Sequence, residues 1–138
     1  MSSIPPSILQ KASDTRIRVL VVDDEPKIVD VVRTALERNH FDVVTASTGE
    51  QALAEAKNQR LDLILLDVAM PLMDGFEVLS RLRADKDTSR IPVVMVTAKS
   101  DTHSIFRAKE LWAADYLLKP FDLDVLLSTV KRCAKLLP

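Results

Sequence analysis

The chain has 138 residues, 47% hydrophobic and 28% charged, with 19 basic residues against 20 acidic ones. One domain of this length removes about two thirds of its unfolded surface from water. Its single cysteine, Cys133, excludes an internal disulfide and fits a reducing, cytoplasmic setting, and a net charge of -1 offers no basic excess for holding nucleic acid. The two glycines, Gly49 and Gly75, lie 26 positions apart, so neither the glycine-rich dinucleotide fingerprint nor the phosphate loop can be written here.

Residues 1 to 15 read as a flexible leader, with no basic stretch followed by an apolar run that would make a signal peptide. Pro5-Pro6 interrupts any long helix there, although Ile4, Ile8 and Leu9 could form a short docking turn. The longest purely aliphatic runs, Val19 to Val22 and Leu63 to Leu66, have four residues each, too short to cross a bilayer.

From residue 17 onward, short apolar runs alternate with segments of helical period. The runs Ile17 to Val22, Phe41 to Ala46, Leu63 to Leu66, Ile91 to Val96 and Tyr116 to Leu118 predict five strands buried on both faces. Ile28, Val29, Val32, Ala35 and Leu36 form the stripe of a first helix opened by Pro26. Ala52, Leu53 and Ala56 mark a second helix, and Phe76, Leu79 and Leu82 a third with Asp74 as its cap. Ile105, Ala108, Leu111 and Trp112 mark a fourth. The fifth carries Leu123, Leu126, Leu127, Val130, Ala134 and Leu137 on one face, behind Asp122 as N-cap. Five strands each followed by a helix predict an α/β fold, a five-stranded parallel sheet doubly wound as (βα)5.

Ligands of such sheets bind beyond the carboxyl ends of the strands. There the chain places Asp23-Asp24-Glu25 after strand one, Asp67 after strand three, Thr97-Ala98 after strand four and Lys119-Pro120 after strand five. Any one of these has an ordinary explanation as a helix cap or a solvated side chain. Three carboxylates gathered on one rim oppose folding by mutual repulsion, so together they ask for a chemical reason. Hard oxygen ligands without His or Cys suit Mg²⁺, and the set suits phosphoryl transfer to a carboxylate.

The motifs VLVVDDEP at 19 to 26, LILLDVAMPLMDGFEVL at 63 to 79, VVMVTAK at 93 to 99 and DYLLKPFD at 115 to 122 resemble the receiver domain of two-component response regulators. The separations of 43, 30 and 22 residues from Asp24 to Asp67, Thr97 and Lys119 in turn match that pattern. The resemblance implies a flavodoxin-like three-layer sandwich, with residues 16 to 138 as the receiver domain. It implies Asp67 as phosphoacceptor, and Asp23, Asp24, Asp67 and the Ala69 carbonyl around Mg²⁺. Lys119 and Thr97 would face the phosphoryl group, Tyr116 would act as a switch residue, and a cis bond would precede Pro120. The implied partners are a sensor histidine kinase or histidine phosphotransfer protein and a downstream target or output domain. No nucleic acid and no membrane are expected, and a homodimer through the fourth helix, fifth strand and fifth helix is a family habit.

Two other readings compete. Phosphatases that form an aspartyl-phosphate use D-x-D, but the second acid is Ala69 here. A pseudo-receiver would bind partners without phosphorylation, against which the complete set of site residues argues. The chain also departs from the family, which places a glycine near the end of the fourth helix where Trp112 stands. A left-handed helix end is therefore not expected, and Trp112 either packs on the core or serves as a partner-binding aromatic. Gly75 is expected at positive φ in the turn that opens the third helix. His40 and His103 read as exposed polar residues, Cys133 as structural or partly exposed, and Lys131, Arg132 and Lys135 as solvating the last helix.

Overall fold

The computed structural model describes residues 16–98 and 102–134. The strands are β1 (Arg18–Val22), β2 (Asp42–Ala46), β3 (Leu63–Asp67), β4 (Val93–Ala98) and β5 (Asp115–Lys119). The helices are α1 (Pro26–Arg38), α2 (Gly49–Asn58), α3 (Gly75–Ala84), α4 (Thr102–Glu110) and α5 (Leu123–Ala134). All strand pairs are parallel, in the order β2-β1-β3-β4-β5. No helix among the described residues is long and apolar enough to cross a membrane.

Alternate strand residues serve two cores. Leu20, Val22, Ile64, Leu66, Val93 and Met95 pack with Ala52, Phe76, Leu79 and Ala108, placing α2, α3 and α4 on one face. Val19, Val21, Leu63, Leu65, Val94 and Val96 pack with Val32, Leu36, Leu126 and Val130 of α1 and α5 on the other. This two-sided burial is why the central strands read as continuous apolar runs.

Helix starts follow the expected chemistry. Pro26 opens α1, Asp74 accepts from the Glu77 amide at 2.9 Å, and Asp122 accepts from the Asp124 amide at 2.9 Å. Gly49 lets α2 approach α3, since a Cβ there would come within 2.8 Å of Val78 Cγ2 and 2.9 Å of Met73 Sδ.

Several expectations are corrected. β4 begins at Val93 rather than Ile91, because Pro92 has no amide hydrogen for the ladder, and it runs on through Thr97. α4 ends at Glu110, so Leu111 and Trp112 lie past it. Leu123 is exposed at the start of α5. Trp112 is in the left-handed region at φ 62°, with its ring exposed rather than packed on the core. Arg132 does more than solvate α5, reaching Asp115 at 2.6 Å. His40 and His103 are exposed and Cys133 is buried. The leader, Lys135 and Leu137 lie outside the described residues.

Candidate phosphoacceptor site

The strand order reverses between β1 and β3, and the crevice at their carboxyl ends is where such sheets hold ligands. Asp23 follows β1 and Asp67 closes β3, so the pairing of Val22 with Leu66 carries both carboxylates to the same rim. β3 is buried along its whole length. Each of its four aliphatic side chains contributes about 2 kcal/mol by leaving water, which is enough to hold Asp67 out of solvent at the strand's end.

Asp23 is 3% and Asp67 4% exposed, while Asp24 is open to solvent. One carboxylate oxygen from each of the three lies within 4.8 Å of the others. The Glu25 amide donates to Asp23 Oδ1 at 2.9 Å and fixes that carboxylate. Lys119 Nζ bridges the buried pair, 3.0 Å from Asp23 Oδ2 and 3.4 Å from Asp67 Oδ1. Lys119–Pro120 is a cis peptide bond.

Burial and the Asp23 charge raise the Asp67 pKa from 3.8 to about 6, against the opposing pull of Lys119 and a backbone hydrogen bond from Ala69. Burial acts to lower the Lys119 pKa, but its hydrogen bond to Asp23 and the charges of Asp67 and Asp23 outweigh this and hold it above its ordinary value. The lysine therefore stays a fixed cation between two carboxylates.

Thr97 Oγ1 is buried and has no hydrogen-bond partner among the described residues. A buried hydroxyl without a partner costs on the order of 1–3 kcal/mol, and this one stands at the carboxyl end of β4, on the rim where such sheets hold ligands. The sequence-predicted Asp23, Asp24, Asp67, Thr97 and Lys119 thus share one rim, with Ala69 joined through its backbone. Tyr116 does not belong to this cluster. It lies three residues back along β5, about 10 Å from Lys119, partly buried against the core shared by α2, α3 and α4.

Gly75 is not at positive φ as expected; what it supplies is room. A Cβ there would stand 2.3 Å from the Asp67 carbonyl oxygen, and the Gly75 amide donates to the Val68 carbonyl at 2.9 Å. The start of α3 thus rests directly on the peptide of Asp67. Sequence reasoning also missed the Glu25 amide, whose signal is only its place two residues after an aspartate.

The model of the response regulator receiver domain matches residues 19–131. The chain belongs to that family. It is 46% identical over 104 residues to the alkaline phosphatase synthesis transcriptional regulatory protein PhoP of Bacillus subtilis, covering 75% of this chain and 42% of that protein. It is 41% identical over 114 residues to the DNA-binding dual master transcriptional regulator RpaA of Synechocystis, covering 83% of this chain and 47% of RpaA. Among solved structures, Vibrio cholerae chemotaxis protein CheY4 matches with a TM-score of 0.82 at 34% identity, covering 86% of this chain and 99% of CheY4. A putative response regulator from Chloroflexus aurantiacus gives 0.84 at 30% identity, covering 88% and 99%. The receiver reading and the flavodoxin-like fold are thereby established, and this receiver domain is a signalling domain.

The chain spans about half the length of the curated relatives it matches. The exclusion of nucleic acid does not stand, because RpaA and the MtrA of Mycolicibacterium smegmatis are named as DNA-binding regulators. A net charge of -1 averages over 138 residues and carries no information about proteins of twice that length.

Proposed function

We propose that this receiver domain is a phosphorylation-dependent switch in which Asp67 accepts a phosphoryl group from a phosphohistidine on a sensor histidine kinase or histidine phosphotransfer protein. The observation that carries this reading is the buried Asp67 carboxylate held beside Asp23 by Lys119, with the unpartnered Thr97 hydroxyl at the same rim. An Asp67 oxygen forms the new O–P bond as the N–P bond breaks, and the departing imidazole keeps the electron pair. Lys119 neutralises phosphoryl oxygens, and Thr97 donates its hydroxyl to one of them. Thr97 turning toward the phosphoryl group leaves space that Tyr116 fills, and the surface of α4, β5 and α5 changes.

The all-oxygen donor set at Asp23, Asp24 and Asp67, with oxygens within 4.8 Å of one another, fits Mg²⁺, and these residues with the Ala69 carbonyl would hold it. When bound, the ion offsets the repulsion between the carboxylates and an incoming phosphoryl dianion. The acyl phosphate returns to carboxylate by hydrolysis, which the same residues promote, so the chain signals rather than turns over substrate. The receiver domain that begins at residue 16 is the phosphoacceptor unit and works in the cytoplasm. The relatives named for DNA binding support an output in transcription.

The test is incubation with acetyl phosphate and Mg²⁺, read by intact mass. Wild type should gain one alkali-labile phosphoryl group, and Asp67→Asn should gain none. A wild-type chain that takes no phosphoryl group, or steady turnover of phosphomonoesters, defeats the reading.

A further inference from the structure

Away from the acidic rim, α3 and α4 enclose an open groove of about 530 Å³. Phe76 lies in its floor with the Arg107 guanidinium 4.6 Å above the ring centroid, so the one cation of the lining among the described residues is already engaged on an aromatic face. Three carboxylates, Asp74, Glu77 and Glu110, line the same groove. Asp74 caps α3 and Glu77 makes an exposed pair with Arg81 at 3.5 Å, whereas no ion pair of Glu110 occurs among the described residues. The lining is therefore electronegative.

The two ends of this groove carry a second signal. Leu72 lines the rim end, and Trp112, just outside the lining, follows the lining Leu111 in the chain, where Arg83 of α3 donates to its carbonyl at 3.0 Å. Three non-glycine residues among those described have left-handed φ: His40, Leu72 at 69° and Trp112 at 62°. Among the described residues Leu72 and Trp112 are also the two most exposed large apolar side chains, Leu72 fully and Trp112 at 80%. A left-handed backbone costs a side chain of this kind about 1–2 kcal/mol, and neither residue recovers that cost by burial within the chain. Glycine would serve the fold better at both places. A partner that covers the leucine and the indole supplies the missing gain.

We propose that the α3–α4 groove docks a short basic segment of a partner protein, Lys or Arg side chains meeting Glu77 and Glu110 while apolar residues at its two ends cover Leu72 and Trp112. The ten residues of α3 set the span between those ends at about 15 Å. The charge selects the occupant: phosphate-bearing nucleic acids and anionic membrane surfaces are repelled by the carboxylates that attract lysine and arginine. This surface is independent of phosphoryl chemistry at Asp67, so either reading can fail alone.

The experiment selects random short peptides displayed on phage against the immobilised full chain, with Mg²⁺ present to neutralise the acidic rim. The best peptide is then synthesised and its affinity measured by fluorescence anisotropy. Selected sequences should carry two or more basic residues between apolar ones, and amide shifts should map to residues 72 to 80 and 107 to 112. Glu110→Lys should weaken binding about tenfold, a change of about 1.4 kcal/mol, while melting like wild type, and Leu72→Asn should weaken it several-fold while melting no lower than wild type, since Asn tolerates the left-handed backbone. Three results overturn the proposal: no enriched sequence family or an acidic one, affinity that neither variant alters, or shifts centred on Asp23 and Asp24.

Discussion

The two ends of the sheet treat their polar groups in opposite ways. At the amino end of the strands, Arg83 donates to the carbonyls of Ser89 at 3.1 Å, Ile91 at 2.9 Å and Trp112 at 3.0 Å, tying α3 to the loops that lead into β4 and β5. Thr88 gives its hydroxyl to the Leu82 carbonyl at 2.7 Å, and Asp62 accepts from the Arg18 amide at 2.8 Å. At the carboxyl end, two buried carboxylates share one lysine and a buried threonine hydroxyl has no partner among the described residues. One end is satisfied by the chain itself, and the other sets two carboxylates against one cation and leaves a hydroxyl unbonded among the described residues. Stability is therefore concentrated at the end away from the chemistry.

Breaking the satisfied end should give the largest effect on stability. Arg83→Met keeps the aliphatic stem and removes the donors from three carbonyls, which should lower the unfolding free energy by about 2–3 kcal/mol. Urea denaturation checks this. A midpoint within error of wild type would show that the arginine is decoration on an end held by apolar packing alone.

The unsatisfied end should respond with the opposite sign. Because the Asp67 pKa rises from 3.8 to about 6 on folding, the folded chain holds that proton more tightly than the unfolded one. Its contribution to stability is full below pH 3.8 and is lost as pH rises through about 6. With chelator present, Asp67→Asn should thus be more stable than wild type by about 2 kcal/mol above pH 7, allowing for solvent screening, and show no such gain near pH 4. A difference that stays constant with pH would refute the linkage.

The same contrast explains what could be read from the chain beforehand. The strands were legible because burial on both faces demands unbroken apolar runs, and Asp23, Asp67 and Thr97 stood out because each ends such a run. Arg83 carried no signal. The carbonyls it meets lie 6, 8 and 29 residues away, and an arginine on an amphipathic helix looks like solvated surface until those loops are placed. Gly75 was legible as special but for the wrong reason, since glycine supplies room as readily as positive φ and only the nearby Asp67 carbonyl decides between them. The end of α4 was misplaced because Leu111 continues the apolar period after the helix has stopped.

Trp112 is the exception at the satisfied end and gives the smallest and sharpest test. Its carbonyl is held by Arg83, the Ala113 amide bonds the Ala108 carbonyl at 3.0 Å, and the turn closes α4 as a glycine would. Only the side chain conflicts with the backbone, and its ring lies in solvent. Trp112→Gly keeps every one of these main-chain bonds and removes the left-handed penalty, while adding freedom to the unfolded chain that takes back part of the gain. The net should be a stabilisation of about 0.5 kcal/mol, measured as a small rise in the denaturation midpoint. The same variant should bind a groove-selected basic peptide less tightly. A residue that makes the free chain less stable and the bound chain more so is under a demand from outside the fold; if Trp112→Gly instead destabilises the chain, the indole is covering something of its own.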